Sequence, residues 1–186
     1  LSGPINGLQA EKARIPFANI GLVKVPESIS DKDAIILSDI LPTGYFGADI
    51  SNIKRGNTVV VFGCGPVGLC AIQSALLMGA GQVFAIDHIG ERLDLAQKAG
   101  AEIIDFESED PVETILEMTG GIGVDRAIDA VGVDAVHPHG GPAWKKEEQM
   151  QQEFEDDVHK IAPETHPKGA NWQPGDGPSQ VLMWAA

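Results

Sequence analysis

The stretch Thr58–Asp87 reads TVVVFGCGPVGLCAIQSALLMGAGQVFAID and decides the fold of the chain. It opens with Thr58–Phe62, a short, mostly β-branched apolar run that is typical of a buried parallel strand. A turn with the spacing G-x-G-x-x-G follows, and the uncharged run Leu69–Met78 predicts a helix packed over a broad face. A second apolar run, Gln82–Ile86, ends on the acidic residue Asp87. The order is therefore strand, glycine turn, helix, strand and acid.

That order predicts a dinucleotide-binding unit, and a lone G-x-G-x-x-G motif would be much weaker support. Gly63 permits the tight turn, Gly65 lets a diphosphate approach the backbone, and Gly68 lets the helix pack closely on the sheet. The phosphates would lie at the helix N-terminus, where unpaired N–H groups and the helix dipole attract anions. Pro66 suits the first helical turn, since the N–H that it lacks has no partner there. The predicted cofactor contacts of the turn are Gly63, Gly65, Pro66, Val67 and Gly68.

The acid at the end of the second strand sets the predicted cofactor preference. Asp87 follows the glycine turn at the distance of about 20 residues that is usual for a ribose-binding acid. Its carboxylate can accept hydrogen bonds from a ribose 2′-hydroxyl, and its negative charge would repel the 2′-phosphate of NADP. The sequence therefore favours NAD over NADP.

Composition and charge exclude several classes of protein. The 186 residues allow one domain, or one domain and part of another, and 43% hydrophobic with 22% charged residues is ordinary for a soluble globular protein. A net charge of −14 argues against nucleic-acid and anionic-membrane partners. No apolar run approaches the roughly 20 residues of a membrane span, and no signal peptide opens the chain. Cys64 and Cys70 both lie within the nucleotide motif, which fits a reducing, cytoplasmic location better than a disulfide framework.

Strands and helices continue to alternate after the nucleotide motif. Helices are predicted over Glu91–Ala99 and Pro111–Met118, and strands over Glu102–Asp105 and Val124–Val131. Four strands joined by helices predict an α/β fold with a doubly wound parallel sheet of Rossmann type, in the order 3-2-1-4. No run after Val131 reads as a fifth or sixth strand, so the sheet is expected to be incomplete. Val131 would end the fourth strand, beside the point where ligands bind such sheets, and is a candidate cofactor contact.

The residues before the motif predict small elements only. Strands are expected at Gln9–Phe17 and Gly21–Val25, and a short capped helix at Ala34–Leu37. A second helical stretch is predicted from Ser38 through Ile53. The chain opens without Met, and the first residues do not read as the start of a domain.

The residues after the fourth strand differ from the rest. Residues 137–180 are rich in proline and form a long insertion with a charged helix predicted over Lys145–Lys160. The charged run is most simply an exposed helical face. Gln180–Ala186 predicts another apolar helix in which the sequence stops, and the chain is therefore interpreted as a fragment.

Three motifs resemble the zinc-containing medium-chain alcohol dehydrogenases. They are Asp39-x-x-x-Thr43-Gly44, the turn Lys54-Arg55-Gly56-x-Thr58-Val59, and the loop Phe62–Gly68. The insertion, which begins HPHGGPAWKKEEQ, resembles that of the glutathione-independent formaldehyde dehydrogenases within this family. The resemblance covers essentially the whole chain. It implies that residues 1–30 are a remnant of the GroES-like catalytic β domain, and that residues 31–186 are an NAD-binding Rossmann domain. It also implies a homotetramer.

The resemblance implies roles for individual residues as well. Asp39 occupies the position of the third protein ligand of the catalytic zinc, and Thr43 the position of a threonine beside the nicotinamide. His137 and His139 lie where the insertion folds over NAD, and Arg92 resembles an arginine beside the adenosine. Without the resemblance, Asp39 reads as a helix N-cap, the two histidines as loop residues and Arg92 as a solvated helix charge. The Cys and His that complete the zinc site, and the four cysteines of a structural zinc lobe, have no counterparts in the sequence.

The function implied by the resemblance is NAD-dependent oxidation of formaldehyde, or of another small aldehyde or alcohol. Zinc would act as a Lewis acid, and hydride would pass to the nicotinamide. If NAD stays bound, dismutation of formaldehyde to formate and methanol is a further expectation. Two alternatives stay open: a non-catalytic NAD-binding fragment, and a general alcohol or threonine dehydrogenase relative. With one zinc ligand of three, these 186 residues alone are expected to be inactive.

Overall fold

The computed structural model describes residues 11–131, 138–146 and 180–185, which fall into two compact units divided between Ile35 and Ile36. The first unit holds two single-turn helices, α1 (Ala18–Gly21) and α2 (Asp31–Ala34). Ser30 caps α2, because its Oγ accepts a hydrogen bond from the Asp33 N–H at 3.3 Å. The predicted division of the chain at residue 30 stays a prediction, since a division by compactness does not identify a catalytic domain.

The strand predictions for this first unit are wrong within its described residues. Residues 11–17 contain no strand, and Gly21 ends α1 instead of opening a strand. Residues 22–25 carry no strand assignment either, although Leu22 is extended. Apolar alternation alone does not make a strand, because the backbone N–H and C=O groups need a partner strand to pair with.

The second unit is built on a parallel sheet, as predicted. Its strands are β1 (Thr58–Phe62), β2 (Gln82–Asp87), β3 (Glu102–Asp105) and β4 (Arg126–Asp129), in the order β3-β2-β1-β4. The order 3-2-1-4 is thus confirmed. β4 is shorter than the predicted Val124–Val131, because polar side chains close both of its ends. Asp125 Oδ2 accepts from the Thr58 N–H at 2.8 Å, and Asp129 Oδ1 accepts from the Val131 N–H at 2.9 Å.

Helices connect the strands and flank the sheet. A 3₁₀ turn, Ile35–Ser38, lies where the short helix Ala34–Leu37 is predicted, and it leads into α3 (Ile40–Ile50), which ends before the predicted Ile53. Asp110 caps α6 (Pro111–Met118), with its Oδ1 accepting from the Glu113 N–H at 3.0 Å. The helices of this unit are α3 (Ile40–Ile50), α4 (Pro66–Leu77), α5 (Gly90–Lys98), α6 (Pro111–Met118), α7 (residues 141–146) and α8 (Gln180–Ala185). The helix predicted from Gln180 is therefore confirmed, whereas most of the helix predicted over Lys145–Lys160 lies outside the described residues.

The core consists of two layers, one on each face of the sheet. Alternate residues of β1 and β2 point to opposite faces, as the period of two requires. One layer joins Val59, Val61, Val83 and Ala85 to the buried side of α4; the other joins Val60, Phe62, Phe84 and Ile86 to Ile104, Phe106, Ile115 and Val181. The first layer fixes α4 against the sheet, and so it fixes the turn that precedes α4. Among the described helices, none is both long and apolar enough to cross a membrane.

Candidate dinucleotide site

The glycine turn leaves β1 in a conformation that only glycine adopts easily. Gly63 has φ +85, and its N–H donates to the Ile86 carbonyl at 2.8 Å, which ties the turn to β2. A Cβ at Gly63 would lie 2.9 Å from Val131 Cγ2 and 3.2 Å from the Ala130 carbonyl oxygen. The structure therefore places Val131, the predicted contact from the fourth strand, directly beside the turn.

The two other glycines meet opposite surroundings. A Cβ at Gly68 would lie 1.8 Å from the Gly63 carbonyl oxygen, so α4 packs on the turn more closely than any side chain allows. A Cβ at Gly65 would meet no described atom within 4 Å. Gly68 is needed for packing, whereas Gly65 leaves open space in front of the backbone.

The open space at Gly65 adjoins an uncapped helix N-terminus. Gly65 is the N-cap of α4 and no side chain caps the helix, with Pro66 in the first turn. The described residues offer no acceptor for the N–H groups of Val67 and Gly68, while the Leu69 N–H donates to the Gly65 carbonyl at 2.9 Å. Free N–H groups and the positive helix end attract an anion, and the missing Cβ leaves room for one. The turn therefore fits the diphosphate of a dinucleotide.

Asp87 lies in the same corner, and it makes bonds that the sequence did not reveal. The residue is only 4% exposed, and its Oδ2 accepts from the Cys64 N–H of the turn at 2.7 Å. Its Oδ1 accepts from the His88 and Ile89 N–H groups at 2.8 and 3.0 Å. The preference of aspartate for bonding backbone N–H groups one or two residues onward could have predicted the last two bonds. No local pattern predicts the bond to Cys64.

Arg92 lies beside Asp87. Its Nη1 is 3.8 Å from Asp87 Oδ2, and its side chain is about half exposed. This distance is an ion pair without a close hydrogen bond, so the guanidinium is free to turn towards a ligand. Contact with the adenosine stays a prediction.

The surroundings of the two cysteines disfavour the thiolate form. Burial raises the pKa of the Cys64 thiol to about 12; the Asp87 carboxylate adds to this rise, and Arg92 partly opposes it. Burial also raises the pKa of Cys70. Both thiols are therefore less readily ionised than an exposed thiol, which disfavours a nucleophilic role.

His139 and its neighbours contact the loop after β3. The His139 N–H and Nδ1 lie 3.1 and 3.0 Å from the carboxylate oxygens of Glu107, whose pKa is lowered mainly by the side-chain bond to His139. Lys146 Nζ lies 2.9 Å from Asp110 Oδ2 and 2.7 Å from Glu113 Oε1, and these two carboxylates raise the pKa of Lys146. These contacts hold residues 138–146 against this loop and the first turn of α6. No sequence pattern predicted the anchoring, and His137 lies outside the described residues.

Asp39 and Thr43 are one helical turn apart, and both are exposed. Thr43 Oγ1 donates to Asp39 Oδ1 at 3.0 Å. Asp39 occupies the N-cap position of α3, but its side chain makes no capping bond, so the N-cap alternative does not explain this carboxylate. Nowhere in the described ranges do three His, Cys, Asp or Glu side chains gather in a way that could hold a metal ion. The described residues therefore supply one candidate zinc ligand and not a zinc site.

Comparison with known proteins points to one family. The family model described as zinc-binding dehydrogenase matches residues 66–139. An alcohol dehydrogenase of Cupriavidus necator is 42% identical over 132 residues, which are 70% of this chain and 36% of that protein. An NADP-dependent isopropanol dehydrogenase of Entamoeba histolytica is 41% identical over 128 residues, 68% of this chain and 35% of that one.

A solved structure agrees with the sequence comparisons. The alcohol dehydrogenase TADH from Thermus sp. ATN1 superposes with a TM-score of 0.65 at 44% identity, over 68% of this chain and 36% of that one. The chain thus spans about a third of the length of the relatives it matches. The matched region contains the glycine turn and Asp87, and the family implies zinc and NAD or NADP. On the parallel sheet, the glycine turn and these matches, the chain belongs to the zinc-type medium-chain alcohol dehydrogenase family.

Proposed function

We propose that this chain provides the NAD-binding part of an oxidoreductase that oxidises a small alcohol or aldehyde. The observation that carries the proposal is the open space at Gly65, in front of the uncapped N-terminus of α4 and beside Asp87 and Val131. When bound there, the cofactor supplies a nicotinamide that accepts hydride. The chain itself supplies the diphosphate cradle, the sugar acceptor and the sheet edge that orients the cofactor.

NAD is the proposed form of the cofactor. Asp87 is a buried carboxylate, and a 2′-phosphate next to it would meet an unfavourable like charge. Arg92 lies close enough to Asp87 to offset part of that repulsion. The family alone does not decide, because the isopropanol dehydrogenase of Entamoeba histolytica is named NADP-dependent. Asp87 therefore carries the argument for NAD.

Formaldehyde is the substrate that the insertion after Val131 favours, through its resemblance to the formaldehyde dehydrogenases. A general alcohol dehydrogenase fits the named relatives equally well, and a threonine dehydrogenase relative is a third possibility. Dismutation of formaldehyde, a cytoplasmic location and a homotetramer stay predictions of the same kind.

Zinc enters the proposal through Asp39 alone. A carboxylate is an acceptable zinc ligand, and Asp39 is exposed and only lightly engaged by Thr43. The described residues do not complete a metal site, so they support no zinc-dependent step. A non-catalytic NAD-binding module is accordingly the second candidate function, favoured by the lack of any three-ligand group in the described part of the chain.

Titration calorimetry of the 186-residue chain with NAD and with NADP tests the proposal. We expect saturable binding of one NAD per chain and at least tenfold weaker binding of NADP. Turnover with formaldehyde, ethanol and threonine, measured with the zinc content of the same preparation, separates the substrates and the two functions. A folded chain that binds neither dinucleotide would contradict the proposal, and turnover with bound zinc would contradict the non-catalytic alternative.

A further inference from the structure

Asp87 touches the glycine turn itself, and a role limited to holding ribose does not need this contact. Its Oδ2 accepts the Cys64 N–H at 2.7 Å, and both residues are buried. Resting on the proposed function, we propose that Asp87 is a positioning residue for the diphosphate cradle, and that it orients the turn through the Cys64 N–H. Its effect on binding then reaches ligands that have no ribose hydroxyl.

The contact falls where the turn has the least conformational restraint of its own. The Cys64 N–H belongs to the peptide that follows Gly63, which has φ +85, and Gly65 comes next. Two glycines around one residue leave this backbone free to take many other conformations. A buried, charged acceptor gives a stronger bond than a neutral one, and so it selects one orientation of the peptide.

The two carboxylate oxygens of Asp87 accept hydrogen bonds from different parts of the chain. Oδ1 accepts from His88 and Ile89 in the turn between β2 and α5, while Oδ2 accepts from Cys64 and faces Arg92 at 3.8 Å. A carboxylate offers about four lone-pair positions, so one position on Oδ2 is left for a ribose hydroxyl. The oxygen that would hold the sugar is therefore the one that holds the turn. Recognition of the sugar and recognition of the diphosphate are coupled through one atom.

The neighbouring strand offers a matched control. Asp105 ends β3 in register with Asp87, and it makes the same kind of local bond, with Oδ1 accepting the Glu107 N–H at 3.0 Å. Its Oδ2 accepts from Ser108 Oγ at 3.2 Å instead of from the glycine turn. Asp87→Asn and Asp105→Asn thus remove the same charge at equivalent strand ends. Only the first variant places an amide NH2, or an uncharged acceptor, against the Cys64 N–H.

Amide hydrogen exchange of the ligand-free chain tests the proposed contact between Asp87 and the Cys64 N–H. In the wild-type chain, the Cys64 amide should exchange at least tenfold more slowly than that of Val67, for which the described residues offer no acceptor. Asp87→Asn should speed exchange at Cys64 about tenfold, and Asp105→Asn should leave it unchanged. Equal rates for Cys64 and Val67 in the wild-type chain would overturn the inference even if Asp87→Asn does not fold. Equal Cys64 rates in wild type and a folded Asp87→Asn would overturn it as well.

A nucleotide that lacks the 2′- and 3′-hydroxyls distinguishes the two roles of Asp87. Its affinity depends on how Asp87 positions the glycine turn and not on hydrogen bonds to the sugar. We expect Asp87→Asn to weaken 2′,3′-dideoxy-ADP about tenfold and ADP by more, with both affinities unchanged in Asp105→Asn. If Asp87→Asn weakens ADP and leaves dideoxy-ADP unchanged, Asp87 acts on the sugar alone; the inference then fails and the proposed function stands. If the folded wild-type chain binds neither nucleotide, the proposed function fails, and hydrogen exchange still decides whether Asp87 positions the turn.

Discussion

The glycine turn and the Asp39–Thr43 pair are the two candidate sites of this molecule, and they are built in opposite ways. The turn is made of backbone: Gly63 has a positive φ, Gly68 packs on the Gly63 carbonyl, and a buried carboxylate holds the Cys64 N–H. The pair consists of two exposed side chains joined by one hydrogen bond of 3.0 Å. The glycine turn and the carboxylate that holds it lie within one stretch of sequence, Thr58–Asp87. A metal site needs side chains from several stretches, and the described residues supply one of them.

Gly68→Ala, in the glycine turn, is the substitution expected to cause the largest loss of folding stability. The new Cβ would lie 1.8 Å from a backbone oxygen, so either α4 or the turn has to move. We expect a loss of about 3 kcal/mol in the free energy of unfolding, which outweighs the gain of about 1 kcal/mol from replacing a helical glycine with alanine. Urea unfolding measures the loss. A change below about 1 kcal/mol would mean that the turn is not rigid.

Gly44→Ala tests the contact between the helix of the Asp39–Thr43 pair and the helix of the turn. A Cβ at Gly44 would lie 2.6 Å from Cys70 Cβ and 2.8 Å from backbone atoms of Val67 and Ala71, so we expect a loss of about 2 kcal/mol. Gly47→Ala is the control on the same helix, because its Cβ would meet Ile128 Cγ2 at an ordinary 3.6 Å. We expect the control to be neutral or slightly stabilising. Equal losses in the two variants would show that the close contact at Gly44 is not what matters.

The Glu107–His139 pair is an intermediate case, exposed like Asp39–Thr43 but joining distant parts of the sequence. The folded-state pKa of Glu107 lies below its ordinary 4.5. Between the lowered pKa and about pH 4.5, the folded state therefore binds fewer protons than the unfolded state. Its contribution is therefore complete above pH 4.5 and is lost as the pH falls through the lowered value. Because the pair is exposed, we expect only about 0.5 kcal/mol.

Comparison of wild type with Glu107→Gln from pH 3 to pH 6 measures that contribution. The difference in the free energy of unfolding should be present at the upper end and disappear at the lower end. The His139 backbone N–H also donates to this carboxylate, at 3.1 Å. A difference that grows as the pH falls would contradict the assignment.

Asp39→Ala is expected to have the smallest effect on the chain itself. It removes one hydrogen bond between exposed side chains, which is worth less than about 0.5 kcal/mol of folding stability. NAD affinity should stay within twofold of wild type. Calorimetry and urea unfolding check the two quantities, and Thr43→Val serves as the partner control. A large loss of NAD affinity would show that the pair belongs to the dinucleotide site.

The same contrast explains which features the sequence could predict. The sheet order, the glycine turn and the position of Val131 follow from strand periodicity and from local demands of the backbone, and they agree with the structure. The strands predicted on either side of Gly21 disagree with the structure. A strand needs a neighbouring strand for its backbone hydrogen bonds, and a local sequence pattern does not reveal whether one is present. β4 is shortened because the Asp125 and Asp129 carboxylates accept backbone hydrogen bonds, which the hydrophobic periodicity of the sequence does not predict.

Hydrogen bonds between side chains and residues far apart in the chain could not be predicted from the sequence. Asp87 was expected to face a ribose, and its bond to Cys64 depends on how the strand end meets the turn. Glu107 and His139 are 32 positions apart, and neither residue type is selective for the other. The role of Asp39 rests on resemblance, because its exposed carboxylate has the same local chemistry as many solvated aspartates.

The most direct test of the account is the affinity of the folded chain for NAD before and after Gly65→Ala. Gly65 has φ −67, which alanine adopts, and its Cβ would touch no described atom, so the free energy of unfolding should change by less than about 1 kcal/mol. The methyl group would nevertheless fill the space where the diphosphate approaches the backbone. We predict that calorimetry finds one NAD per wild-type chain and at least a hundredfold weaker binding in the variant. Equal NAD affinity in the two chains would contradict the claim that this turn holds the cofactor.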